Sequence, residues 1–129
     1  MKIVFQINAA IEIIAGFLLI FNPDLLLSNP SPELQGIAIS KLYGILAFSF
    51  GVITFILSKN FSYNLMFKQV SLVIITFHFA VGLYMYGLYS QSISTNPGAA
   101  ILHLSLAVIF ILLYLRNIQN FSIHHESTT

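Results

Sequence analysis

The chain has no cysteine among its 129 residues, which excludes disulfides, thiolate metal sites and thiol redox catalysis. Charge is almost as scarce. Asp, Glu, Lys and Arg together make up 7% of the sequence, against roughly 25% in ordinary globular chains. So few ionised side chains do not solvate a soluble body of this size, which excludes a soluble enzyme and a disordered chain. The net charge of +1 is too small to draw nucleic acid. A glycine-rich phosphate loop, a nucleophile elbow and a catalytic dyad at readable spacing are also missing. What is present is apolar: hydrophobic residues make up 57% of the chain and the mean hydropathy is +0.89. The length holds one domain, and the composition is that of an integral membrane protein.

A bilayer core takes roughly 20 mostly apolar residues per helix. Four segments fit, over about 3–21, 36–57, 70–89 and 99–115. The breakers Asn22-Pro23, Asn29-Pro30, Ser31-Pro32, Ser58-Lys59-Asn60 and Asn96-Pro97-Gly98 fall between them, where proline costs no helix hydrogen bond. The segments lack the period-2 alternation of barrel strands and are twice as long. The expected fold is therefore all-α, a four-helix membrane bundle running up-down-up-down over 1–116, with a polar cytoplasmic tail at 117–129. Gln6, Asn8 and Glu12 interrupt the first apolar stretch and no A-x-A site follows it, so the first span is read as retained rather than as a cleaved signal. The adjacent His124 and His125 are read as a surface feature of the tail, because two neighbouring histidines lack the further ligands of a metal site.

Each span carries one face of small or polar residues when positions are set 100° apart. On the first it is Asn8, Glu12, Ala15, Gly16 and Leu19; on the second Ser40, Gly44, Ala47, Gly51, Thr54 and Ser58. On the third it is Ser71, His78, Gly82, Met85 and Tyr89; on the fourth Asn96, Ala99, His103, Ala107, Phe110 and Tyr114. Membrane helices have little hydrophobic force between them, and small residues let their backbones approach. Gly16, Ser40, Gly44, Ala47, Gly51, Gly82 and Ala107 are the expected packing positions. The ordered stripe on the second span serves either intramolecular packing or an interface with a second copy or another membrane protein.

Ionisable residues inside a span cost several kcal/mol unless paired, hydrated or neutral. The candidates for a ligand- or proton-binding role are Glu12, Lys41, His78 and His103, with Asn8 one turn from Glu12. At 1.5 Å per residue, Glu12 and His78 fall roughly 15 Å from the outer ends of their spans, and Lys41 and His103 roughly 7 Å. Glu12 is either a proton carrier or ligand counter-ion, or a buried structural carboxyl. Lys41 either extends to the interface or reaches Glu12. The two histidines are either neutral interhelical hydrogen-bond donors or ligands. Two His and one Glu match a facial 2-His-1-carboxylate set in residue type, but no recognised ligand spacing is present and the depths of the histidines differ, so neither a metal nor haem is assigned. The tyrosines near span ends suit an interfacial belt.

The run G-F-L-L-I-F-N-P-D (Gly16 to Asp24) followed by K-L-Y-G-I-L-A-F-S-F-G (Lys41 to Gly51) resembles the small bacterial four-helix membrane proteins of the DoxX-like and related uncharacterised groups. The resemblance covers about 40 residues of the chain. The association of some members with quinol-linked respiratory or oxidative-stress complexes implies an accessory role. Lys41 stands where the family pattern usually has Arg, and only Arg offers a planar two-pronged donor, which weakens an inference of anion or carboxylate binding there; no catalytic residue carries over. Three functions compete: an accessory or structural subunit acting through helix contacts, favoured by the short loops; a binder or carrier of a lipid, quinone or proton, favoured by the polar residues; and, with least support, a lipid-modifying enzyme. The expected surroundings are the lipid bilayer and a membrane-protein partner or second copy, with no nucleic acid and no cofactor.

Lys2, Lys59, Lys68 and Arg116 fall on one side of a four-span arrangement, and Asp24 and Glu33 on the other. The positive-inside rule then places both termini in the cytoplasm of a cell (inner) membrane. Cysteines introduced at Ser31 and Ser92 are expected to label from outside intact cells and one at Ser122 is not; outside labelling at Ser122 reverses the orientation.

Overall fold

The computed structural model describes residues 1–25 and 34–123. Asn29-Pro30, Ser31-Pro32, Glu33 and the His124-His125 pair lie outside the described residues. Among the described residues there are four long helices and no strand: α1 (Lys2–Phe21), α2 (Leu34–Lys59), α3 (Leu65–Ser90) and α4 (Gly98–Asn117). All four are long and apolar enough to cross a membrane. A 3-10 turn, Pro23–Leu25, follows α1, and a short α5 (Asn120–Ile123) follows α4.

The helices α2 and α3 reach beyond the apolar runs that announce them. α3 begins at Leu65, several residues ahead of the expected Val70, because Asn64 caps it: its Oδ1 accepts from the Phe67 backbone N–H at 3.0 Å. That bond satisfies one of the donors every helix start leaves open. At the other end Ser92 takes φ 58°, with its N–H on Tyr89 O and the Ile93 N–H on Leu88 O. This is a Schellman turn with serine at the left-handed position. It folds the chain back onto the last turn of α3 at once.

The chain divides into two helical units, Lys2–Asn60 and Phe61 onward. In the first, α1 and α2 touch through backbone. A Cβ on Gly16 would stand 2.7 Å from Gly44 O and 2.5 Å from Phe48 N; one on Gly44 would stand 2.9 Å from Gly16 O. A Cβ on Gly51 would stand 2.8 Å from Ile13 N and 3.0 Å from Ala9 O. Later residues of α2 thus meet earlier residues of α1, so the pair runs antiparallel. Gly44, Ala47, Gly51, Thr54 and Ser58 form the buried face of α2, while Ser40 is half-buried. On the outer faces Ile7, Ile14, Phe17, Leu42, Leu46 and Ile53 are exposed, as lipid-facing positions are.

In the second unit α3 buries Phe67, Ser71, Ile74, His78 and Gly82, and α4 buries Ala100, His103, Leu106, Ala107 and Phe110. Beyond α4, part of the segment read as a polar tail folds back as α5. Phe121 is buried and meets the Tyr63 ring edge-on at 5.3 Å and the Tyr114 ring at 6.1 Å. These ring contacts tie the turn to the aromatic residues at the end of the helices.

Gly16→Ala and Gly44→Ala are expected to destabilise the protein by about 1–3 kcal/mol through overpacking. Gly87, with nothing within 4 Å of an added Cβ, is the internal control: Gly87→Ala should be neutral or stabilise by up to about 1 kcal/mol through helix propensity. Denaturant titration in detergent reads both, and equal behaviour at Gly44 and Gly87 defeats the close-approach account.

Candidate functional site

The buried hydroxyls of these helices are satisfied at home. Thr54 Oγ1 donates to Phe50 O at 2.8 Å, Ser58 Oγ to Phe55 O at 2.7 Å and Ser71 Oγ to Phe67 O at 2.7 Å. Back-bonding of this kind lets a hydroxyl sit in an apolar segment without a partner on another helix. An imidazole brings two ring nitrogens, more than one such bond satisfies.

His78 and His103 answer that problem with each other. Their Nδ1 atoms lie 2.8 Å apart, and the rings are tilted by 35° with centroids 5.1 Å apart. Both residues are buried, at 0% and 7% exposure. Phe77 meets both rings edge-on, at 5.2 and 6.0 Å, and Phe110 stacks against His78 at 6.3 Å. An N–H···N bond between two Nδ1 atoms requires opposite tautomers: one ring is protonated at Nδ1, the other carries its proton on Nε2. Both rings are then neutral, the form an apolar segment tolerates. The pair is thus a held point where one proton lies between two lone pairs.

Depth counted along the sequence sets these histidines at different levels, yet their rings touch. The contact requires α4 to begin well short of the level at which α3 ends, since His103 stands five residues into α4 and His78 twelve residues before the end of α3. The depth argument against a shared ligand of the two histidines falls with this contact.

In the first unit, Asn8 and Glu12 occupy successive turns of the buried face of α1, at 0% and 1% exposure. Tyr43, half-buried on α2, belongs to the same helical unit. Its only signal in the sequence is its place beside Gly44 in K-L-Y-G. Lys41 is exposed, and among the described residues it forms no ion pair with Glu12. It sits about 100° from the centre of the buried stripe on α2, which turns its ammonium outward. Gly16, Gly44, Ala47, Gly51, Gly82 and Ala107 are all buried.

Comparison with family models, with curated proteins and with solved structures finds no match to this chain.

Replacing one histidine leaves the other Nδ1 without its bond, whereas replacing both removes the demand. In the cycle of His78→Leu, His103→Leu and the double variant, the double change is expected to cost less than the sum of the singles. The coupling should be about 1 kcal/mol, the scale of hydrogen bonds between membrane helices. Strict additivity in detergent unfolding contradicts the bond.

Proposed function

We propose that this chain is a multi-pass protein of the cell membrane, an up-down-up-down bundle with cytoplasmic termini, that works as a binder or carrier through its intramembrane polar side chains. One observation carries the reading: two buried imidazoles presenting their Nδ1 atoms to each other at 2.8 Å. Packing alone is served on these helices by glycine, alanine and self-bonded hydroxyls. A paired imidazole adds what they lack, a lone pair and an exchangeable proton in one place. Intramembrane ionisable groups commonly mark such binding or transfer points. The residues of the binding role are His78 and His103, with Asn8, Glu12 and Tyr43 as a second polar group.

The accessory reading keeps the support of the DoxX-like resemblance over Gly16–Asp24 and Lys41–Gly51. The two readings part on what stays with the protein during mild extraction. Native mass spectrometry is expected to show a non-protein mass in stoichiometric amount, lost in the His78→Ala/His103→Ala variant. A stoichiometric second protein with no small ligand transfers the case to the accessory role.

A further inference from the structure

We propose that His78 and His103 form the two-nitrogen half of a binding site for a divalent transition-metal ion of the copper or zinc type. The inference deepens the binder reading above and rests on it, by naming the class of ligand.

Imidazole is the ligand type that late first-row ions favour, and a neutral ring brings no charge of its own into an apolar segment. The spacing fits. With metal–nitrogen bonds of about 2.0–2.1 Å, two nitrogens 2.8 Å apart subtend about 84–89° at the ion. That is the angle between neighbouring ligands of a tetragonal copper(II) centre. A tetrahedral zinc site needs the nitrogens about 3.3–3.4 Å apart, a widening that small turns of the two rings supply. The rings pack against Phe77 and Phe110, and an apolar shell of this kind limits solvent access to a metal site. An ion replaces the shared proton as the link between the rings. The ring that had donated from Nδ1 moves its proton to Nε2, so both rings stay neutral and binding releases no net proton from them. The double charge of the ion then calls for anionic or water ligands at its remaining positions.

A purely structural role does not ask for this arrangement. A bond between two imidazoles holds only when the tautomers are opposed, a condition that an amide or a hydroxyl partner would not impose.

The chain itself makes the test clean. It has no cysteine and only four histidines, so in a His124→Ala/His125→Ala background every remaining imidazole belongs to the pair. Copper(II) added to that untagged protein in detergent should bind at one ion per chain. Its electron paramagnetic resonance spectrum should carry the superhyperfine splitting of two directly bound nitrogens. His78→Ala or His103→Gln should remove the two-nitrogen pattern and weaken binding about tenfold or more, with helicity and melting followed alongside. The wild-type pair decides the matter even where a variant fails to fold: no stoichiometric copper, or a spectrum without two-nitrogen coupling, overturns the site. Copper binding unchanged by both substitutions overturns it too. If copper fails while native mass spectrometry still finds a retained organic mass, the metal falls and the binder reading stands. If both fail, both fall.

Discussion

The polypeptide backbone of α1 touches that of α2, and the contact exists because Gly16 and Gly44 face one another. Each would drive a Cβ to within 3 Å of the other's carbonyl oxygen. Helices with so apolar an exterior gain little from leaving lipid for one another, so close-range dispersion and weak Cα–H···O contacts must hold them. Both decay within an ångström or so of extra separation. A methyl group at either glycine therefore acts on the whole length of the contact, since Gly51 must still fit over Ala9 and Ile13 on the same pair of rods.

The second pair is held by different means. α3 and α4 meet through Gly82 against Leu104 and through the histidine bond, with an aromatic group formed by Phe61, Tyr63, Phe67, Tyr114 and Phe121 at one end. Aromatic pairs contribute roughly 0.5–1.5 kcal/mol beyond the area they bury, comparable to a hydrogen bond between membrane helices. This hairpin thus trades the length of a glycine seam for a few stronger local contacts. The polar bond among them also carries chemistry.

Much of this was readable in advance, because the bilayer imposes a simple rule on sequence. Length and hydropathy mark the four spans, and the small-residue periodicity marks Gly44, Ala47, Gly51, Thr54 and Ser58 as one face, which is the buried face of α2. Several of the misses share a cause, geometry at helix ends. Leu65–Gln69 belongs to α3 because Asn64 caps it, although Lys68 and Gln69 blur the apolar signal. Phe121 is lost in any window average over a stretch rich in Asn, Gln, Ser and His. The turn that ends α3 has a serine at φ 58°, a conformation that glycine or asparagine would have advertised and serine does not. Lys41 shows the converse. Its residue type raised a pairing with Glu12, and its angular position on α2 was the better guide to its exposure.

The packing of the second hairpin and its chemistry are one problem. His78 and Gly82 stand four residues apart and so lie on one face of α3, one turn from each other. His103 and Leu104 are neighbours on α4. A Cβ at Gly82 would reach 3.1 Å from the backbone nitrogen of Leu104 and 2.7 Å from its Cγ, so the missing side chain at 82 sets how near the α4 backbone comes. One residue earlier on that backbone is His103, whose ring must bring Nδ1 to 2.8 Å from its partner. A hydrogen bond weakens steeply once donor and acceptor move much past 3.2 Å, leaving a few tenths of an ångström of tolerance. The glycine therefore does for this pair of helices what Gly16 and Gly44 do for the first: it sets how near the backbones come, and ring rotation adjusts the nitrogens only within that limit. Small residues on these helices are thus part of the site even where they offer no atom to a ligand, because the approach of α4 to α3 beside the two rings is set by what Gly82 lacks.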